Sequence, residues 1–313
     1  MPIPASAPTT SRIRQGLAAW RRVPVGAGLV ALGLLSGCSP VKLINAVTPD
    51  DTFALTRDVS FGPLPANQVD VYRPLGTPPA NGWPVVVFIH GGSWQKGSRD
   101  QYKFLGEALA SRGIVLMSSS YRLYPEVRYP DFLPDSAKAV AYALAHAGRY
   151  GGNPRRVLVM GHSAGAYNAA MVALDDRWLA QQGHHITELA GWVGLAGPYD
   201  FIPLKDKSVQ PVFHHPNVPP DSQPIAHASP RAPSTFLGVS NFDAQVNPDT
   251  NSGHLATRLE SLGVPVIFKR YEGVDHLTLI GAFSRPLHRM APVLDDVAAF
   301  VSSLPEAPRK NGP

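Results

Sequence analysis

Residues 156–174 read RVLVMGHSAGAYNAAMVAL, and the order of residue types in this stretch decides the fold. The apolar run Val157–Met160 reads as a buried strand, and the alanine-rich run 164–174 reads as a helix. Between them stands Gly161-His162-Ser163-Ala164-Gly165, a serine flanked at both sides by glycine. A strand that turns at once into a helix brings two backbones close together. Glycine is the residue that fits where a Cβ would strike the neighbouring strand or helix. The serine at the bend then projects its hydroxyl from a strained turn, the geometry of a nucleophile elbow.

Working outward, strand-like and helix-like segments alternate. Strands are expected at 53–60, 68–73, 84–89, 114–120, 156–160, 191–196, 235–239 and 265–271. The central ones, such as PVVVFI at 84–89, are continuous apolar runs, as in strands buried on both faces of a parallel sheet. Helices are expected at 101–112, 134–148, 164–174, 252–262 and 287–303. The alternation predicts an α/β domain over 52–304, with a mostly parallel sheet of about eight strands covered by helices on both faces. No helix separates the first two strands, which predicts an antiparallel edge. Residues 201–234 are rich in proline and lack a sustained period, so they read as a lid or an insertion. The stretch 305–313 reads as a flexible tail.

A serine hydroxyl is a weak nucleophile at neutral pH and needs a base, which in turn needs an orienting acid. In this fold the chain order is serine, acid, histidine. His276 follows the last expected strand, where the base belongs, whereas His254 and His288 fall in expected helices. Asp243 lies just beyond the strand 235–239, with Asp249 and Asp200 as rivals. His90-Gly91-Gly92-Ser93-Trp94 follows the strand 84–89. The N–H groups of Gly91, Gly92 and Ala164 are the candidates to hold a developing oxyanion. Trp94, Tyr121 and Tyr199 are candidates to line a substrate pocket. The histidine pairs 184–185 and 214–215 are adjacent in sequence, and no HExxH spacing occurs, so no metal site is expected.

From about residue 60 to 303 these motifs resemble the α/β-hydrolase superfamily. The closer likeness is to its esterase/lipase branch, with hormone-sensitive-lipase-like carboxylesterases and kynurenine formamidases. Tyr121-Arg122-Leu123, Pro125-Glu126, Pro130, Asp135 and Gly197-Pro198-Tyr199-Asp200 also fit that pattern. The resemblance implies a triad of Ser163, Asp243 and His276, no cofactor, and a small-molecule ester or aryl formamide as substrate. Ser93 stands where many lipase-like members carry a third glycine, which leaves ester and formamide both open. A binding protein that has lost catalysis is the third reading; the presence of all three triad candidates argues against it.

The net charge of +5 has a local origin. Arg12, Arg14, Arg21 and Arg22 fall within the first 38 residues, which hold no acidic side chain. Without them 24 basic residues face 23 acidic ones, which offers no footing for nucleic-acid binding. Residues 23–35 then form a short apolar run that ends in Leu35-Ser36-Gly37-Cys38. A basic start, a short apolar run and small residues before a cut mark a signal peptide. The last four residues resemble a bacterial lipobox. That likeness implies cleavage before Cys38, lipid on its thiol and an address at the bacterial cell envelope. Cys38 is the only cysteine, so no disulfide is expected within the fold. Residues 39–51 read as a tether.

Overall fold

A computed structural model describes residues 1–2 and 40–308. The expected signal peptide from residue 3 onward, Cys38 included, and the last five residues of the tail lie outside the described residues. All eight expected strands form and join one sheet: β1 (Phe53–Ser60), β2 (Gln68–Pro74), β3 (Trp83–Ile89), β4 (Val115–Ser119), β5 (Gly152–His162), β6 (Gly191–Leu195), β7 (Thr235–Ser240) and β8 (Val266–Tyr271). Their order across the sheet is β1-β2-β4-β3-β5-β6-β7-β8. β2 pairs antiparallel with both β1 and β4, and every other pairing is parallel. β5 is central, and its C-terminal end carries the elbow.

The central strands are buried throughout because both faces of the sheet are covered. Val85, Val87 and Ile89 point to one side, against α3 (Leu133–His146) and α4 (Ala164–Leu174). Val86 and Phe88 point to the other, against α2 (Lys103–Ala110) and α8 (Val293–Ser303). Each such side chain removed from water contributes about 1.5–3 kcal/mol. α4 is buried along its whole length, so it has no polar stripe and its sequence shows little amphipathic rhythm.

Three expectations need correction. The supposed tether contains α1 (Pro40–Val47), whose Asn45 side chain donates to Gln101 O at 2.9 Å and accepts from the Phe104 N–H. Those bonds pin this segment to the start of α2. The C-terminal helix begins at Val293 rather than 287, because Pro292 lacks the N–H that a helix interior needs. The stretch 201–234 is neither wholly a lid nor a loose insertion. It forms 3-10 turns at Gln210–Phe213, Pro220–Ser222 and Pro224–His227, and Phe213 is fully buried among Trp94, Tyr129, Phe132 and Tyr167. Only its first part, 201–209, borders the cavity described next.

Candidate active site

The elbow is strained as its sequence requires. Ser163 has φ 56° and ψ −125°, outside the regions that side chains favour. A Cβ at Gly161 would lie 2.1 Å from Gly165 O, and one at Gly165 would lie 2.0 Å from Ile89 O. Neither position accepts another residue without moving backbone. Ser163 N donates to Leu195 O at 2.9 Å, and its carbonyl accepts from the N–H groups of Ala166 and Tyr167. The bend is thus tied to β6 on one side and to α4 on the other.

The serine hydroxyl lies 2.9 Å from His276 Nε2, and His276 Nδ1 lies 2.7 Å from Asp243 Oδ2. The three residues come from three loops at the C-terminal edge of the sheet, where open α/β sheets place their sites. Asp243 is held by its own turn: Oδ1 accepts from the N–H groups of Gln245 and Val246, which leaves Oδ2 for the imidazole. Burial raises the Asp243 pKa, but the hydrogen bond and charge of His276 and the two N–H groups outweigh it and lower the carboxyl below its usual range. A carboxylate on Nδ1 fixes the proton there and leaves the Nε2 lone pair for the hydroxyl.

His276 opens α7 (His276–Gly281). Asp275 caps that helix by accepting from the N–H groups of Leu277 and Thr278, so it turns away from the imidazole, as adjacent side chains must. Ser240 Oγ reaches the Val274 carbonyl at 2.5 Å and ties the acid loop to the base loop. His162 does the same from the elbow: its Nε2–H donates to the His276 carbonyl at 2.8 Å. Burial, then the neighbouring His276 charge, push the His162 pKa down to about 3, so it is a neutral donor. Sequence reading misses His162 and Ser240. Their partners are main-chain carbonyls far along the chain, and no spacing rule points to such bonds.

The rival residues separate cleanly. Asp249 pairs with Arg270, Asp200 with His254, and His288 Nδ1–H donates to its own turn at Arg285 O.

Beside Ser163 lies a cavity of about 460 Å3. Ser93, Trp94, Ser163 and Ala164 form its floor, and Phe201, Ile202, Leu204 and Val209 form an apolar wall. Ala164 is the first residue of α4, so its N–H has no acceptor within the helix. Gly91 packs directly on the nucleophile, since a Cβ there would lie 3.2 Å from Ser163 Cβ, and Ser93 lines the cavity. Gly91 fills a packing role, since a Cβ there would lie 2.8 Å from His162 O. Gly92, at φ 120°, turns the loop so that its carbonyl accepts from Gln95 and Lys96, and Ser93 at φ 54° continues the left-handed turn.

Of the three pocket candidates, only Trp94 lines the cavity, with its Nε1–H donating to Asn168 Oδ1 at 2.9 Å. Tyr121 is buried behind the loop, stacked on His90 and donating to the His90 carbonyl. Tyr199 is fully buried edge-on against Trp192. Both pair a large apolar ring with a neighbour in the core, which the sequence alone does not distinguish from a pocket wall.

The sequence matches the BD-FAE family over residues 69–259, more than half of the chain. The chain belongs to the BD-FAE family. It is an α/β-hydrolase of the esterase/lipase branch. The probable isoprenylcysteine alpha-carbonyl methylesterase ICME of Oryza sativa subsp. japonica is 34% identical over 154 residues, 48% of this chain and 37% of that protein. Esterase LipC of Mycobacterium tuberculosis is 33% identical over 228 residues, 66% of this chain and 55% of that protein. The chain spans only about a third to a half of the length of the curated relatives it matches first. The esterase of Pyrobaculum calidifontis shares the fold of this BD-FAE member, with a TM-score of 0.66 at 21% identity over 84% of this chain and 88% of that one.

Proposed function

We propose that this chain is a serine esterase that cleaves carboxylic esters of short to medium acyl groups through an acyl-enzyme. The supporting observation is the unbroken line from Asp243 through His276 to the Ser163 hydroxyl, ending at the floor of a cavity. His276 Nε2 takes the Ser163 proton as Oγ attacks the acyl carbon. The resulting imidazolium is stabilised by Asp243, and it returns the proton to the leaving alcohol. The Ala164 N–H, with the turn at Gly91–Ser93 beside it, faces the negative charge on the carbonyl oxygen. One such donor is worth about 2.7–4 kcal/mol of barrier. Water then enters, His276 acts as base again, and the acid leaves. The cavity size suits a small acyl group.

The test is turnover of short p-nitrophenyl esters, with labelling of Ser163 by a fluorophosphonate probe. Ser163→Ala is expected to lower kcat by at least about 10³-fold and to abolish labelling. Activity that survives the substitution refutes the reading. Faster turnover of N-formylated aryl amines than of acetyl esters would make the enzyme a formamidase with the same machinery.

We also infer, from residues 23–38 alone, that the mature chain begins at a lipid-bearing Cys38 and faces the exterior or periplasm of a bacterial envelope. Mass spectrometry of the membrane fraction decides this. An intact precursor with an unmodified thiol would overturn it.

A further inference from the structure

The cavity beside Ser163 holds a second carboxylate–imidazole pair, which acyl transfer leaves unused. His254 Nδ1 lies 2.8 Å from Asp200 Oδ2, and both residues line the cavity. The pair stands on a prepared backbone. Asn251, itself buried, accepts through Oδ1 from the N–H groups of Tyr199 at 2.8 Å and Asp200 at 3.0 Å. Its Nδ2–H donates to Asn247 O at 3.0 Å. Asn251 belongs to a π-helical turn, Asp249–Gly253, that runs straight into α6 (His254–Ser261). Such widened turns are rare and recur at functional sites. Here the turn sends Asn251 inward to hold the Tyr199–Asp200 corner, while His254, next after the turn, borders the cavity. An adventitious surface ion pair needs no such clamp.

The chemistry on offer is specific. With its Nδ1–H donated to the carboxylate, a neutral imidazole keeps an acceptor at Nε2, on a residue that lines the cavity. The other Asp200 oxygen is a second acceptor. Two neighbouring polar groups are already engaged: the Asn247 amide oxygen accepts from the N–H groups of Asp249 and Thr250, and the Asp206 carboxylate accepts from Ser208. Two acceptors side by side suit a group that donates a hydrogen bond. A hydroxyl is the ester substituent that meets this need while its carbon skeleton rests on Phe201, Ile202 and Leu204.

We propose that Asp200 and His254 form a subsite that recognises a hydroxyl group of the substrate. This deepens the esterase reading of Ser163 and rests on it. The hydroxyl belongs either to the alcohol or to the acyl half of the ester, and matched substrates separate the two. The alcohol arm compares 2-hydroxyethyl butyrate with 2-methoxyethyl butyrate. The acyl arm compares methyl 3-hydroxybutyrate with methyl 3-methoxybutyrate. In the full-length protein, one arm is expected to show a hydroxyl-over-methoxy ratio in kcat/KM of about tenfold, the value of one hydrogen bond. His254→Phe and Asp200→Ala are each expected to bring that ratio close to one. The more conservative His254→Gln, checked for folding by its fluorophosphonate labelling, is expected to lower the ratio as well. A wild-type ratio near one in both arms overturns the subsite, as does a high ratio that survives all three substitutions. Failure of every ester to turn over, with no labelling of Ser163, would instead defeat the esterase reading.

Discussion

Two Asp–His pairs stand near the nucleophile, and their hydrogen bonds are nearly equal in length; the first reaches the cavity only through the Ser163 hydroxyl, whereas the second lines it. Asp243 meets His276 at 2.7 Å, and Asp200 meets His254 at 2.8 Å. Their surroundings differ. The Asp243 and His276 side chains are 1% and 5% exposed, whereas those of Asp200 and His254 are 34% and 55% exposed. Water screens the second pair and competes for its hydrogen bonds; the first pair has only protein around it. A short hydrogen bond therefore does not by itself make a catalytic dyad. Burial, a nucleophile on the far nitrogen and a backbone held from several sides do. His276 has all three, while His254 is half exposed and lines the cavity.

The sharpest way to break this comparison is to damage each acid in turn. Asp243→Asn keeps the shape but favours the wrong imidazole tautomer, and kcat is expected to fall by about 10⁴-fold. Asp200→Asn, assayed on p-nitrophenyl acetate, is expected to lower kcat by less than about tenfold, since that ester carries no hydroxyl to recognise. Steady-state kinetics on both variants decide it. Equal losses would mean that the two pairs act as one unit.

The contrast between the pairs also shows how far the sequence can be read. Ser163 and His276 are legible because the elbow and the last strand leave strong local patterns, a glycine-flanked serine and an apolar run ahead of a turn. Asp243 is legible only as one of three acids, since nothing local tells a buried carboxylate from the exposed ones at Asp200 and Asp249. The eight strands are legible because short apolar runs between turn residues suit little else than strands of a covered sheet. The short helix at 276–281 and the π-turn at 249–253 are not, because six or five residues cannot show a period. Residue type alone points to Gly91 and Gly92, and the structure gives the reason that both are glycine: Gly91 packs against His162 O and Ser163, and Gly92 turns the loop at φ 120°. Tyr121 and Tyr199 are misplaced for a similar reason: an aromatic ring near a site is as useful in the core as in a pocket.

A smaller effect sharpens the account of how the buried pair is held. His162 and His90 are neutral in the fold, with pKa values pushed down to about 3 and about 4, chiefly by burial. In the unfolded chain each returns to about 6.5. As pH falls from about 6.5 toward about 4, the unfolded state binds protons that the folded state refuses, so stability drops. Each histidine adds a slope of up to about 1.4 kcal/mol per pH unit within that window. The lowered carboxyl of Asp243 acts in the same direction at more acid pH. His162→Gln keeps an amide donor for the His276 carbonyl but cannot titrate. Urea unfolding from pH 7 to 4 is expected to show a shallower decline in this variant. An unchanged slope would show that His162 titrates in the fold as it does in the unfolded chain, and that burial does not hold it neutral.

The smallest effect concerns the exposed pair, and it tests whether the comparison is energetic or merely positional. A double-mutant cycle on Asp200→Ala and His254→Phe isolates their coupling from the separate cost of each change. A solvent-exposed carboxylate that accepts from a neutral imidazole is expected to couple to it by no more than about 1 kcal/mol, because water competes for the hydrogen bond. The coupling in unfolding free energy is expected to stay below that value and to change little with salt, since only one partner is charged. Stability then gives little reason to hold a carboxylate and an imidazole together at a clamped corner, and the reason is left to the substrate. A coupling well above 1 kcal/mol would say the opposite. The pair would then be a structural strut of the Tyr199–Asp200 turn, and the cavity would owe its shape, rather than its choice of substrate, to it.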